Sequence, residues 1–372
     1  MTVRKLSKQD AYDLVIGAKI LACGGGGSEV KALENINKIY DLGMNFTIAD
    51  LTDFQPDDSL CIIGMVGGGI TEEDKKLVEG KEIVENNPMV TAVKELEMFL
   101  DKEFSALVAT ELGPNNSIIP LMVAAQMGKV AVNGDCCGRS KPKISISTTR
   151  VKDIPIAPFS IVNHYGDTQI VKNVTDDLRG ELFARTSSRL SGGSVGVARC
   201  PMKIKEAQQA VIPLTLSLAM ELGKQVRIAN EQKKQPMKTI FDTLPDTRIV
   251  FTGKVRDFSR TEEGGFTSGE IILDSMDITN HELKVWYQNE YLLSWLNGKS
   301  FVTCPDGMYI VDSKTGYGLT PWEDDFKKGR EVTVFTRDAP EVWQSEKGLQ
   351  VFGPRTFKKD WSKYKKASTF KI

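Results

Sequence analysis

The sequence predicts an α/β N-terminal domain, three layers built around a mainly parallel sheet, followed by a β-rich C-terminal domain. Three observations carry that expectation. Through the first 150 residues, short apolar runs without alternation, as in strands buried on both faces, take turns with amphipathic helical stretches. After residue 248, alternating segments recur between Gly, Asp and Pro turns at a spacing of about 8 to 15 residues, which suits a barrel or a sandwich. The length, 372 residues, exceeds what one core usually organises, so two domains are expected, 1–170 and 171–372.

Taken in order, Ser7 with Asp10 starts the first helix as an N-cap with an acidic first turn, and Ala11, Leu14, Val15, Ala18 and Leu21 mark its buried face. It stops at Gly24, and Gly24, Gly25, Gly26 and Gly27 lead into Ser28, the cap of a second helix over 29–42. A glycine run that opens a helix presents backbone N–H groups to an anion or lets a ligand approach the main chain. The plain alternative is a tight helix-to-helix turn. Neither GxGxxG after a strand nor a Gly-Lys-Ser/Thr ending is present, so the dinucleotide and P-loop fingerprints are not met. Strands are expected at 46–51 and 59–64, the second ending in a glycine cluster, Gly67 to Gly69, and helices at 72–77 and 90–100.

The stretch from Leu107 to Pro142 organises the rest. An apolar run, 106–109, ends on Glu111, and Gly113-Pro114 opens a polar loop, Asn115-Asn116-Ser117. Ser117 as N-cap and Pro120 in the first turn start a helix that buries Leu121, Met122, Ala124 and Ala125. A second apolar run, 129–132, delivers Asn133, Gly134, Asp135, Cys136, Cys137, Gly138 and Arg139 to another strand end. Strand, helix and strand within about 36 residues make a βαβ unit, with both polar loops at the carboxyl edge of the sheet. Open α/β sheets bind ligands at that edge. Glu111, Asp135 and Arg139 are therefore the candidate catalytic residues; Gly24 to Gly27, Asn115, Asn116 and Ser117 are candidates for holding substrate. Packing readings stand beside these: the Asn-Asn-Ser run as capping chemistry, Glu111 as a carboxylate facing a helix N-terminus, and Asp135 paired with Arg139.

Beyond residue 143, strands are expected at 144–149, 159–162, 169–171 and 195–199, a helix at 176–188, and one long helix from about 203 to 222 that closes at Gly223 and packs back on the first domain. Gln288-Asn289-Glu290 ends an alternating strand, and Glu290 joins the candidate substrate-binding residues if that end lines the cleft between domains; otherwise it is a solvated turn. The lysine-rich tail, 358–372, is expected to fray.

With 48 basic and 49 acidic residues the net charge is −1, which argues against a nucleic-acid partner. No apolar run approaches the length of a membrane span, and the N-terminus carries Asp10 and Asp13 ahead of its apolar stretch, unlike a signal peptide, so a cytoplasmic location is expected. Six cysteines without a CxxC pair argue against a disulfide framework. Cys136 and Cys137 sit in the candidate loop, but adjacent residues point apart and no histidine is near in sequence to activate a thiol. The two histidines, His164 and His281, have no metal-ligand spacing, so a His-rich zinc centre is ruled out. No cofactor is indicated for certain, and a divalent metal held by a carboxylate or mixed Cys/Asp/His site assembled from distant segments stays open.

These residues also carry a family likeness. LACGGGGS at Leu21 to Ser28, TELGPNNSIIPL at Thr110 to Leu121, NGDCCGRSKP at Asn133 to Pro142, YQNE at Tyr287 to Glu290, CPDGMYIVDSKTG at Cys304 to Gly316 and GLQVFGP at Gly348 to Pro354, in this order, resemble the S-methyl thiohydantoin desulfurase family. That group was formerly a domain of unknown function, often encoded near hydantoinase/oxoprolinase-type enzymes. Asn133 stands where the family pattern has an acid, and Lys143 where a glutamate is usual; Asp135, Gly138 and Arg139 match. The resemblance implies an α/β domain joined to a β-rich one, and hydrolytic attack on a five-membered, imide-like ring with a thiol as leaving group. The expected function is thus a hydrolase acting on a hydantoin or S-alkyl thiohydantoin through an activated water. Asp135 or Glu111 would be the base, Arg139 the anion partner, the glycine N–H groups would hold the substrate, and Asn115, Asn116 and Glu290 would orient it. The alternative is a non-catalytic ligand-binding or accessory subunit of a hydantoinase/oxoprolinase-type system. Expected partners are a small-molecule substrate, further copies in a homo-oligomer and a hydantoinase-type enzyme, with no nucleic acid and no membrane.

Overall fold

The computed structural model describes residues 2–68, 71–263, 265–358, 361 and 363–370; Gly69, in the second glycine cluster, lies outside them. Two sheets organise the chain. The first takes β1 (Arg4–Lys5), β2 (Thr47–Ala49), β3 (Ser59–Gly67), β4 (Ala106–Ala109), β5 (Val130–Asp135), β6 (Phe159–Val162), β7 (Thr168–Val171), β8 (Ser194–Lys203) and β9 (Ile212–Pro213). Their order is β1-β2-β5-β4-β3-β8-β6-β7, with β9 on β5. Only β2, β5, β4 and β3 pair in parallel, so the sheet is mixed, with a parallel centre flanked by antiparallel strands. The connections account for this: helical crossovers join β3 to β4 and β4 to β5, whereas β6 and β7 form a hairpin. The elements of this sheet run past residue 170, to β9.

The helices that matter here are α1 (Lys8–Leu21), α2 (Glu29–Asp41), α3 (Glu72–Lys76), α4 (Pro88–Leu100), α5 (Ile118–Met127), α6 (Thr148–Val151), α7 (Asp177–Leu190), α8 (Ile204–Ala210) and α9 (Thr215–Glu231). Cys61, Ile63 and Leu107 face a core filled by α1, α2, α4, α5 and α9; Leu60, Ile62, Ala106 and Val108 face a second core that includes Ala184 of α7 and Ile204 and Ala207 of α8. Covering both faces removes any need for polar alternation along these strands, as their sequences indicate.

The second sheet is antiparallel and curled. It contains β10 (Arg248–Phe258), β11 (Thr261–Glu263), β12 (Phe266–Ser275), β13 (Glu282–Gln288), β14 (Glu290–Leu296), β15 (Lys299–Thr303), β16 (Gly307–Asp312) and β17 (Glu331–Arg337). The order is β15-β14-β13-β12-β10-β17-β16, with β11 on β12. Its inner residues Ile271, Leu273, Val285 and Tyr287 belong to the same core as α1 and α9, so the two bodies share apolar packing.

Four expectations need correction. The long helix at 203–222 is two helices: Pro213 interrupts the pattern and Leu214 turns left-handed at φ 63°. Gly223 lies inside α9 rather than ending it, because α9 crosses α1 there; a Cβ on Gly17 would strike the Ala219 carbonyl and one on Gly223 the Asp13 carbonyl. Residues 144–147 form a turn ahead of α6 rather than a strand, with the Ser145 N–H bonded to Glu181 Oε2 at 2.9 Å. The tail is anchored, since Asp306 accepts from Tyr364 OH at 2.7 Å and from the Ala367 N–H at 2.7 Å, while Trp361 packs edge-on against Trp295.

Candidate functional site

The carboxyl end of β4 and the start of β14 face one another across a cleft of about 410 Å³. Gly26, Gly27, Glu111, Asn115, Asn116 and Glu290 all line it, although they come from separate parts of the chain. Glu111 follows β4 directly. Glu290 arrives through a one-residue turn in which Gln288 pairs with Glu290 and Asn289 takes φ 60°, a conformation that Asn tolerates better than most residues. Asn289 Oδ1 accepts from the Thr267 N–H at 2.9 Å and fixes that turn.

Two buried carboxyl groups meet through one hydroxyl. Ser140 Oγ lies 2.8 Å from Glu111 Oε1 and 3.1 Å from Glu290 Oε1. Glu111 also accepts from Asn116 Nδ2 at 2.6 Å, from the Lys141 N–H at 3.1 Å and from Lys141 Nζ at 3.2 Å. Lys141 Nζ donates in addition to Thr110 O at 2.9 Å and to Thr110 Oγ1 at 3.0 Å, the hydroxyl on which the buried Arg199 also rests at 2.8 Å. Glu290 has no such support, and its Oε2 has no hydrogen-bond partner among the described residues. Burial pushes the Glu290 carboxyl well above the ordinary carboxylate range, and the Glu111 charge adds to that; Arg139, the Ser140 hydroxyl and Lys141 pull the other way. The two carboxyls thus sit in contrasting surroundings: Glu111 is held by several donors, while burial favours the protonated form of Glu290.

The glycine run is the hinge-pin of this arrangement. A Cβ at Gly24 would meet the Tyr291 ring at 2.6 Å, one at Gly25 would overlap the Glu290 carboxyl, one at Gly26 would strike the Gly113 backbone, and one at Gly27 would lie 2.8 Å from Asn115 Cβ. Gly26 O accepts the N–H groups of Asn115 at 3.1 Å and Asn116 at 3.0 Å, while Gly24 O accepts from Trp322 Nε1 at 2.8 Å. The run thus lets the α1–α2 turn lie between the two halves of the cleft.

Asp135 and Arg139 do not line this cleft. Asp135 Oδ1 accepts the N–H groups of Cys137 at 2.7 Å and Gly138 at 2.6 Å, closing its own loop. Arg139 spends its guanidinium on backbone carbonyls, Tyr291 O and Asp306 O, each at 2.6 Å, and so ties the loop to the second sheet. Ser117 Oγ accepts from the Gly113 N–H at 3.1 Å instead of capping α5. Asn133 holds the entry to α9 through Ser217 and Asp50. Cys136 and Cys137 are fully buried; burial pushes the first thiol up to about 12 and the second well above its ordinary value, which disfavours a thiolate.

Burial also pushes Asp135 up to about 6, against the nearby Thr215 hydroxyl and the two N–H groups. Asp135 therefore favours the fold most below its ordinary value of 3.8 and loses that contribution as pH rises toward 6. Two units correspond to roughly 3 kcal/mol. Asp135→Asn keeps an oxygen for both N–H groups and has no charge to bury, so its stability relative to the parent should rise between pH 4 and 7. Urea midpoints at those two pH values check this.

Among the described residues no group of three or more His, Cys, Asp and Glu side chains is placed to hold a metal ion. Of the two carboxyls bridged by Ser140, Glu111 is already engaged by Lys141 Nζ, the Lys141 N–H and Asn116, and among the described residues no third such side chain joins them, so these residues do not fit a carboxylate-held divalent metal. Sequence reasoning missed Ser140, Lys141 and Trp322. The first two sit inside NGDCCGRSKP, whose marked polar residues drew attention first; Trp322 carries no local signal.

Two family models divide the chain. The S-Me-THD-like, N-terminal domain matches residues 9–173, and the S-Me-THD-like, C-terminal domain matches residues 175–366. No curated protein matches it. Among solved structures, an X-ray crystal structure of a protein from Chromobacterium violaceum aligns with a TM-score of 0.76 at 20% identity, covering 98% of this chain and 100% of that one. At that identity the likeness speaks to the fold. No helix of the described residues is long and apolar enough to cross a membrane. With both of its domains matched in order, the chain belongs to the S-Me-THD-like family.

Proposed function

We propose that the protein is a hydrolase that attacks an S-alkyl thiohydantoin ring with water and releases a thiol. The observation that supports this most is the Glu111–Ser140–Glu290 bridge, two carboxyl groups in contrasting environments at 2.8 Å and 3.1 Å from one hydroxyl. Environments that push paired groups apart assign them to base and acid roles. Glu111 takes one proton from water as the water oxygen bonds to the ring carbon that carries sulfur. Glu290 gives its proton to sulfur as the C–S bond breaks. The second water proton passes to the ring nitrogen, whose double bond to that carbon has become single, and the carbon becomes a carbonyl. Glu111 is then protonated and Glu290 is not. Ser140 restores them by accepting from Glu111 while donating to Glu290, so the site resets without bulk water. Asn116, Asn115 and the Gly26–Gly27 backbone form the wall that faces the ring.

Incubating the purified chain with S-methyl thiohydantoin and titrating free thiol tests this. Thiol release by the parent, reduced at least about a hundredfold in Glu111→Gln, is the expected result for loss of a general base. Release that requires an added hydantoinase-type chain would support the accessory-subunit reading instead.

A further inference from the structure

Trp322 stands apart from the other tryptophans. Trp286, Trp295, Trp343 and Trp361 all belong to, or pack against, one apolar cluster, none of whose residues lines the cleft. Trp322 is partly buried and is the only aromatic side chain among the described residues that line it. Its Nε1 donates to Gly24 O at 2.8 Å, and an indole has no other hydrogen-bonding atom. What remains for a ligand is π surface.

The indole is also held still. It sits in the loop between β16 and β17, which is fastened to the last turn of α1 and the glycine run behind it. Lys19 Nζ lies 2.8 Å from Glu323 Oε2, 2.8 Å from Glu29 Oε2 and 3.5 Å from Asp325 Oδ2. Burial pulls the Lys19 pKa down, but the three carboxylates together carry it above its ordinary value, so the clamp stays charged. Asp325 Oδ2 accepts the Thr320 N–H at 3.0 Å, and Trp322 O accepts from Arg260 Nη1 at 3.0 Å. Gly318 lets the loop come this close, since a Cβ there would lie 2.5 Å from the Lys19 carbonyl oxygen. Anchors on both sides of Trp322 fix its plane in advance, which spares a ligand the cost of ordering it.

The five-membered ring that the hydrolase reading places in this cleft is flat and conjugated. Flat amide-containing heterocycles stack on aromatic side chains, as nucleobases do. Resting on that reading for the identity of the ring, we infer that Trp322 is the platform on which the face of the ring lies. It is then a specificity-determining residue, favouring flat conjugated rings over puckered saturated ones.

Hydantoin, which carries the ring and has no thiol to release, is the probe. In calorimetric titrations of the full chain, Trp322→Leu, which keeps apolar bulk without a π face, should bind it at least about fivefold more weakly than the parent, the lower end of the range for losing a stacked base. Trp322→Phe keeps an aromatic ring and should lose less. Saturating hydantoin should change the tryptophan emission of the parent and leave that of Trp322→Phe unaltered, because the four other indoles do not line the cleft. Melting curves check that the variants are folded; should Trp322→Leu not fold, the emission comparison decides. Equal affinity in the parent and Trp322→Leu, an emission change that survives in Trp322→Phe, or no binding of hydantoin by the parent each overturns the inference. Thiol release from S-methyl thiohydantoin is read separately, so the hydrolase can stand where the platform falls, and absent release with hydantoin still stacked on Trp322 overturns the hydrolase alone.

Discussion

Glu290→Gln is expected to lower thiol release by about a hundred- to ten-thousandfold, the range for a lost general acid, while raising stability at pH 8. Glutamine keeps an oxygen for Ser140 but has no proton to give to sulfur. The stability sign follows from linkage. The Glu290 carboxyl titrates above its ordinary value of 4.5 in the folded chain, so its favourable contribution is complete below 4.5 and is lost as pH rises through the folded value. Glutamine is neutral throughout, and the variant should gain on the parent as pH climbs from 5 to 8. Urea denaturation at both pH values, alongside turnover, measures the two effects. Undiminished turnover would remove Glu290 from the acid role, and a variant less stable than the parent at pH 8 would show that the carboxyl is not a buried neutral acid.

The second large effect concerns the helix crossing behind the site. Gly223→Ala should destabilise the fold by roughly 2 to 3 kcal/mol, the upper part of the range for overpacking. The new Cβ would fall on the Asp13 carbonyl, with Gly17 N at 2.7 Å, and a backbone neighbour cannot rotate aside as a side chain could. The gain in helix propensity from glycine to alanine, about 1 kcal/mol, offsets part of the clash. Gly17→Ala should behave alike, because its Cβ would lie on the Ala219 carbonyl in the same crossing. Combining the two should cost less than the sum, since helices already pushed apart by the first methyl have room for the second. Chemical denaturation of the two single variants and the double variant completes the cycle.

What the sequence discloses depends on how local the cause is. Ser7 with Asp10 forms the expected capping box, and Ser28 and Asp176 cap their helices, because caps are chemistry within four residues. The strand–helix–strand unit around Glu111 is equally local. Gly223 read as a helix stop, because a glycine that ends a helix and one that lets another helix pass look the same in one dimension. β14 has no alternating signature because residues 290–294 are buried in an unbroken run, YLL in place of a period of two. Arg139 shows the limit most plainly. A guanidinium next to Gly138 in a polar loop at a strand end suggests anion binding, yet its partners are carbonyls of Tyr291 and Asp306, 152 and 167 positions away, which leave no mark near it. Ser140, flanked by more eye-catching neighbours, links the two carboxyls only because the chain folds the loop back on itself.

The bridging hydroxyl belongs to the front half of the polymer and Glu290, the proposed proton donor, to the rear half. A nascent or partly opened molecule would have Glu290 bathed in solvent, where it ionises like any glutamate and has nothing to give. Under the proposed mechanism, catalytic competence is thereby withheld until the halves have closed on one another, and the acidity of this single side chain would report whether the molecule has finished folding.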